Sequence, residues 1–445
     1  MQTQPSSATL SALLRHESPN VTYLDPDGTW PIVWQKAKGM HVWDESGRRY
    51  LDLTAAFGVA ACGHAPREVV RAGQQQMGCL MHAMGDVHPH ALKGRLLAEL
   101  SRWTFERWAR RDARRGGVQV GKVAKSILCN SGFEAVEASL KTAHLATGRS
   151  GVIAFSGAYH GLGYGALTVT HRSHFRRPFQ SQLKKFSHFL KYPSDAVAMR
   201  QGFDQLERLL KKGGVGAVIV EAIQSRAGLR IPPQGFLLGL QERCHAHGAL
   251  LILDEIYTGF GRTGMWFACE HESVTPDLIC VGKALTGGFP LSACVGHSEL
   301  MDQAWPRSSG EAMHTSTFLG HPVGCAMALA QLELLKSRDL ARASSRQGKC
   351  WIQQLSQHFQ AMSDRVKVRG RGLMIGLELI DAKGSPDGLQ VVEWAKRLLK
   401  EGVIVLPSGE RGEVLSLSPP LIIGESHMKQ ATNKLLKTYH QLIKS

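Results

Sequence analysis

From residue 126 onward, short apolar runs alternate with stretches whose apolar residues recur at helical spacing. Residues 126–130 read as a strand and Gly132–Thr147 as a helix, with Phe133, Val136, Leu140 and Ala143 on one face. Further strands are predicted at 152–155, 166–170, 217–222, 250–253 and 278–281. Between them, residues 236–247 have the pattern of a helix that stops at Gly248. Near-continuous apolar strands separated by helices imply an α/β fold with a mostly parallel sheet covered on both faces. In such sheets ligands collect beyond the carboxyl ends of the strands.

The two ends of the chain read differently. Apolar runs at 32–34 and 40–43 precede the turn signal Asp44-Glu45-Ser46-Gly47, and the first dozen residues look like a loose polar tail. After about residue 335, helical patterns mix with strands such as 373–379 and 403–406. At 445 residues the chain exceeds the usual size of one hydrophobic core, so two packed domains are expected. The division predicted is a large domain over 61–335 and a smaller α+β domain built from 1–60 and 336–445.

Hydrophobic residues make up 43% and charged residues 20%, the balance of a globular protein, and no run of about 18 apolar residues could span a bilayer. The first seven residues lack the basic and apolar segments of a secretory leader. Nine cysteines occur without a CxxC pair, as expected of reduced thiols in the cytoplasm. His82, His88 and His90 lie close together in ordinary loop sequence and read as local hydrogen-bonding groups rather than metal ligands. The formal charge of +16 is concentrated partly in Arg102, Arg107, Arg110, Arg111, Arg114, Arg115, Lys122 and Lys125, interleaved with Trp103, Phe105 and Trp108. A nucleic-acid surface has this composition, but no helix-turn-helix, zinc-finger or RNA-recognition pattern accompanies it. A solvated amphipathic helix end is the favoured reading.

Candidate chemistry comes from three places. Asn130-Ser131-Gly132-Phe133-Glu134 sits where a strand turns into a helix, and free N–H groups with the helix dipole make that junction an anion site. Alone it is weak, because Asn-Ser-Gly also makes ordinary helix caps. Ala249-Leu-Leu-Ile-Leu-Asp254 puts a carboxylate at the end of a strand that should be buried, where it needs a partner. A pyridinium nitrogen is a suitable one. Leu278-Ile-Cys-Val-Gly-Lys283 ends another apolar strand on a lysine, and a desolvated lysine becomes a nucleophile able to form a Schiff base. Gly287-Gly288 would let the chain turn tightly around a ligand. Each feature alone could be a structural ion pair or cap. Together they supply the amine, acid and phosphate cradle that pyridoxal phosphate requires.

Four segments then carry a resemblance: Asn130-Ser-Gly-Phe-Glu-Ala-Val-Glu, Leu253-Asp-Glu-Ile-Tyr-Thr-Gly-Phe-Gly-Arg-Thr-Gly264, Gly282-Lys-Ala-Leu-Thr-Gly-Gly and His314-Thr-Ser-Thr-Phe-Leu-Gly-His-Pro322. In order and spacing they resemble the motifs of class III aminotransferases, over nearly the whole chain from about Gly39 to Pro420. The resemblance implies fold type I architecture, pyridoxal 5'-phosphate as cofactor, and a homodimer with active sites at the subunit interface. It further implies that Ser131, Gly132 and the backbone of Phe133 hold the phosphate. Tyr159 would stack on the pyridine ring with His160 beside it, and Ile256 would press on the opposite face. Asp254 would pair with the ring nitrogen. Lys283 would carry the cofactor as a Schiff base and then move the substrate's proton. Thr317 would reach the phosphate of the neighbouring subunit. Glu221 matches the acid of the family's Glu-Pro-[Val/Ile]-Gln run, with Ala222 in place of Pro.

Departures from the family bear on substrate. Leu162 stands where relatives acting on ornithine, acetylornithine or 4-aminobutyrate usually have the Arg of His-Gly-Arg. Ser416 stands where they carry an Arg before the late Pro-Pro, and Arg226 where that Arg's acidic partner lies. Tyr257 replaces a Gln beside the cofactor and can still donate a hydrogen bond; Phe133 replaces a small residue and its ring must find room. Arg226 and Phe57 are the candidate substrate contacts. The implied activity is transfer of an amino group from an amine or amino acid to a 2-oxo acid by a ping-pong route. The same scaffold hosts amino-acid racemases and a decarboxylating transaminase, so an isomerase is the alternative. A catalytically silent cofactor-binding protein is a further one, against which the intact Lys283–Asp254 pair counts.

Overall fold

The computed structural model describes residues 7–114 and 123–444. Strands β1 (Trp34–Lys38), β2 (His41–Asp44) and β3 (Arg49–Asp52) come first. The central region contributes β4 (Ala124–Cys129), β5 (Gly151–Phe155), β6 (Ser187–Leu190), β7 (Val215–Glu221), β8 (Leu250–Asp254), β9 (Leu278–Val281) and β10 (Ser292–His297). The C-terminal region adds β11 (Val366–Arg371), β12 (Met374–Leu379), β13 (Val403–Ile404), β14 (Leu406–Ser408) and β15 (Val414–Leu417).

Seven of these form one sheet in the order β4-β10-β9-β8-β7-β5-β6. Its β6-β5-β7-β8-β9 run is parallel, and β10 is antiparallel to both β9 and β4. All seven residues of β7 are buried, as are all four of β9, which is why these segments read as unbroken apolar runs. The helix Gly132–Thr147 packs on β4, β7, β9 and β10 through a buried face that includes Val136, Leu140 and Ala143. Two four-stranded sheets lie outside: β1-β2-β3-β13, where β13 pairs in parallel with β3, and the antiparallel β11-β12-β15-β14.

Three expectations are corrected. Residues 166–170 are not a strand; Tyr164–Val169 is a helix, buried from Ala166 to Val169. The expected strand at 403–406 is divided, Val403–Ile404 joining β3 and Leu406–Ser408 joining β15 in a different sheet. The polar N-terminal tail holds a helix, Ala8–His16, whose first turn is capped by the Ser7 hydroxyl accepting from Leu10 N at 3.3 Å.

In the basic segment, Trp108 and Phe105 are buried and Trp103 stacks on Trp266 with ring centroids 3.9 Å apart. Arg107 pairs with Glu270, and Arg111 donates to Thr275 at 2.9 Å. Phe105 and Trp108 therefore anchor the helix Phe105–Arg114, and Trp103 the end of the helix before it, instead of presenting faces to bases. Arg115 and Lys122 lie outside the described residues. Among the described residues no helix is long and apolar enough to cross a membrane.

Candidate active site

The carboxyl ends of β4, β7, β8 and β9 open on one edge of the large sheet, where a cavity of about 690 Å³ lies. Its wall includes Phe57, Gly132, Phe133, Tyr159, His160, Leu162, Glu221, Arg226, Asp254, Ile256, Tyr257 and Lys283. Strand register explains the convergence, since Glu221 and Asp254 are direct neighbours at the ends of β7 and β8.

Asp254 is buried and its carboxylate is held from two sides. Oδ2 lies 2.7 Å from His160 Nδ1, and Oδ1 accepts from Ile256 N at 3.1 Å. His160 has a fully buried side chain and a partnerless Nε2, so it stands behind the acid as an orienting group. Glu221 accepts from Tyr159 N at 3.0 Å and from Ser225 N at 3.2 Å, fixing the loop that carries Tyr159. Burial pushes its carboxyl up to about 7, opposed by the charge of His160 and aided by that of Asp254.

Lys283 follows β9 with φ of +40°, a backbone strain that non-glycine residues rarely bear outside functional sites. Burial lowers its ammonium pKa, against the attraction of Asp254 and Glu221. Its Nζ lies over the Tyr257 ring, 4.6 Å from the centroid. The lysine is therefore largely withdrawn from bulk water, with part of its side chain facing the cavity, and among the described residues no acid lies within 4 Å of it.

The phosphate-cradle residues lie at the N-terminus of the 16-residue helix Gly132–Thr147. Glu134 takes the Asn130 and Ser131 N–H groups at 2.6 and 3.1 Å, and among the described residues the buried Ser131 hydroxyl has no hydrogen-bond partner. A Cβ on Gly132 would come within 3.0 Å of Ile256 Cδ1, so a larger residue there would push the Ile256 side chain aside. Phe133 packs against two further glycines; a Cβ on Gly161 would sit 2.3 Å from Phe133 Cβ, and one on Gly163 2.5 Å from its ring Cδ2.

Of the sequence-derived residues, Ser131 and Thr317 are not on the cavity wall, the Ser131 hydroxyl being buried next to Gly132 and Thr317 lying apart from the site. Thr317 is exposed. Ser416 pairs with Gly376 and Leu406 in the outer sheet and does not line the cavity either. Arg226 does line it, 4.6 Å over the Tyr159 ring.

Sequence reasoning missed how Phe57 reaches the wall. Ala55, Ala56 and Phe57 all have positive φ (48°, 48° and 61°), forming a left-handed turn. The buried Asp52 holds it, accepting from Thr54 N at 2.7 Å, Thr54 Oγ1 at 2.6 Å and Ala56 N at 3.2 Å, with His64 Nε2 at 2.7 Å. The only sequence hint was an acid two residues before Thr54, as in an Asx turn.

The family model described as aminotransferase class-III matches residues 23–439, and the chain belongs to that family. It is 36% identical over 408 residues to an acetylornithine aminotransferase of Methanopyrus kandleri, covering 91% of this chain and 94% of that one. The ornithine aminotransferase of Toxoplasma gondii superposes with a TM-score of 0.83 at 27% identity, over 98% of this chain and 95% of that one. An amine transaminase from an uncultivated Pseudomonas species, solved with pyridoxal phosphate bound, gives 0.85 at 27% identity, over 96% and 98%. The protein is a pyridoxal-phosphate-dependent aminotransferase of the α/β fold that those structures share. Family and relatives alike favour transamination over the racemase alternative. The cavity fits the cofactor: an orphaned Ser131 hydroxyl at a helix N-terminus, a buried carboxylate backed by histidine, and a desolvated lysine.

Proposed function

We propose that the chain moves an amino group from an amine or amino acid donor to a 2-oxo acid by a two-stage, ping-pong route, using Lys283 as both cofactor anchor and proton carrier. The observation that carries this is the desolvated Lys283 beside the buried Asp254–His160 pair in one cavity. Pyridoxal phosphate, when bound, supplies an aldehyde that takes up amino groups and a protonated ring that draws electrons from the neighbouring carbon. Asp254 would keep the ring nitrogen protonated, with His160 holding the carboxylate in place. Ser131, Gly132 and the Phe133 N–H would bind the phosphate, while Tyr159 and Ile256 would clasp the ring and Tyr257 would border it. Glu221 would set the Tyr159 loop. Lys283 Nζ, depressed by burial, can accept a proton from the substrate carbon and return it.

Arg226 would take the substrate carboxylate, and Phe57, also on the cavity wall, would meet the substrate body. A guanidinium suits this role through two parallel hydrogen bonds. The alternative, that Arg226 pairs with a surface acid, has no support in its position over the Tyr159 ring. We further propose a homodimer in which Thr317 serves the neighbouring site, the domain division 61–335 against 1–60 with 336–445, and a cytoplasmic setting, which suits nine free cysteines. The test is a donor panel offered without acceptor. A ping-pong aminotransferase releases up to one equivalent of oxo product per site and then stops, and Lys283→Ala releases none. A racemase would invert its substrate and release no oxo product.

A further inference from the structure

Arg226 does not stand alone. Its guanidinium carbon lies 5.6 Å from the centroid of the Phe175 ring, and that of Arg172 lies 5.9 Å from the same centroid. Phe175 in turn packs edge-on against Tyr159 at 5.5 Å. Among the described residues neither arginine has an acid within 4 Å. Arg172 reaches only the carbonyls of Gly409 and Glu410, at 3.4 and 3.3 Å. Of the nearby acids, Glu410 pairs with Arg230 at 3.6 Å, and Glu413 accepts the Arg411 N–H at 2.8 Å. No Asp or Glu occurs anywhere from residue 138 to 194. Burial, and then the charge of Arg226, lower the Arg172 pKa. Two neighbouring cations with no acid within 4 Å among the described residues, opposed only by the more distant charges of Glu410 and Glu413, raise the local potential in favour of an anion.

The rest of the mouth is of the opposite character. Phe57, Phe133 and Leu162 line it and are 57%, 39% and 49% exposed. Phe133 lies against Gly161 and Gly163, and the residue between them, Leu162, faces the cavity with an apolar side chain. A second carboxylate lying on this wall would lose water and gain no partner.

We propose that the substrate is an amine or oxo acid with one carboxylate on an apolar body, the carboxylate held by Arg226, the body lying on Phe57, Phe133 and Leu162. Arg172 is the positioning residue, supplying the second positive charge behind Arg226. The proposal rests on the assignment of Arg226 to substrate made above. It separates this chain from any relative that places arginine at position 162.

Calorimetric titration of the holoenzyme with three unreactive probes tests it without turnover: hexanoate, 1-hexanol and adipate. Hexanoate should bind at least about tenfold more tightly than either of the others, the range of one charge-assisted contact. Arg226→Gln should erase its advantage over 1-hexanol. Arg172→Gln should weaken hexanoate about fivefold and leave 1-hexanol unmoved, while Arg172→Lys keeps most of the affinity because it keeps the charge. Leu162→Arg should gain adipate binding by about tenfold. Adipate binding as well as hexanoate in the wild type would overturn the substrate class. Loss of hexanoate and 1-hexanol alike in both Arg172 variants would overturn its electrostatic role. If Arg226→Gln left hexanoate untouched, the Arg226 assignment itself would fall, whereas failure of every donor to release oxo product would count against aminotransfer alone.

Discussion

The residues proposed for the chemistry are those whose types the chemistry restricts. An amine, an acid and a hydroxyl-plus-glycine cradle at strand ends have few substitutes, so Lys283, Asp254, Ser131 and Gly132 stand out in the chain as candidates before any fold is known, and the fold brings them to one edge of the sheet. The partner of Asp254 was less visible: His160 is 94 residues away, and only the packing of the Tyr159 loop against β8 brings Nδ1 to 2.7 Å. Asp254→Asn should retain cofactor yet slow the proton-transfer step by about 3–5 kcal/mol, the scale for removing a preorganised charge. A single-turnover rate within about tenfold of wild type would contradict the role given to Asp254. Glu221 gives a pH signature. Its carboxyl, ordinarily near 4.5, is raised to about 7 in the folded chain by burial. Below 4.5 it is protonated folded and unfolded alike, so its contribution to stability is fully present there. As pH climbs to about 7 the unfolded chain ionises while the folded one resists, and that contribution is lost. At about 1.4 kcal/mol per unit the loss approaches 3 kcal/mol. Glu221→Gln cannot ionise, so chemical denaturation of the two proteins should show the variant gaining relative to wild type across this window. A difference flat with pH would mean that Glu221 is already ionised in the folded state.

At the scale of elements, the apolar pattern found the buried parallel strands and failed where a short apolar run carries no period. Residues 166–170 are Ala-Leu-Thr-Val-Thr, which serves a buried strand or a buried helix equally well. What decides is tertiary. Glu137, one turn beyond Phe133, accepts the Ala166 N–H at 2.9 Å and starts the helix, while Phe133 covers Gly161 and Gly163. Strand β10 escaped notice because Ser-Ala-Cys-Val-Gly-His has neither alternation nor a dense β-branched run. The Phe133–glycine contact answers how a bulky residue fits beside the cradle, and it can be tested as a pair. Gly163→Ala has ordinary backbone angles to adopt, so its cost is steric: a Cβ 2.5 Å from Phe133 Cδ2. It should destabilise by about 1–3 kcal/mol, as overpacking does. In a Phe133→Ala background the same change should cost close to nothing, and equal costs in both backgrounds would remove the contact from the account.

For the whole molecule the open matter is how the phosphate site is completed. Within one chain the cradle offers the Ser131 hydroxyl and helix N–H groups, and Thr317 lies outside the cavity, exposed. Its surroundings are unlike an ordinary surface. Met81, Met84, Val87, Met313 and Phe318 are all exposed, and the two segments that carry them are tied together. Thr315 Oγ1 donates to Asp86 at 2.8 Å, and the His82 and Phe318 rings meet at 5.4 Å. Exposed apolar side chains gathered in this way favour association. If a second copy covers it, Thr317 can be delivered to the neighbouring cradle, and holding cofactor becomes linked to assembly by mass action. Three outcomes are then expected. Sedimentation of the wild type gives a dimer, and its cofactor dissociates more readily on dilution toward the monomer. Met81→Lys with Phe318→Lys yields monomer with cofactor affinity reduced tenfold or more, about the value of one hydrogen bond to a charged group. Thr317→Val leaves the dimer intact and lowers cofactor affinity by a similar factor. A charge-substituted monomer that held the cofactor as tightly as the wild type would show that each chain completes its own site, and Thr317 would return to being a surface residue.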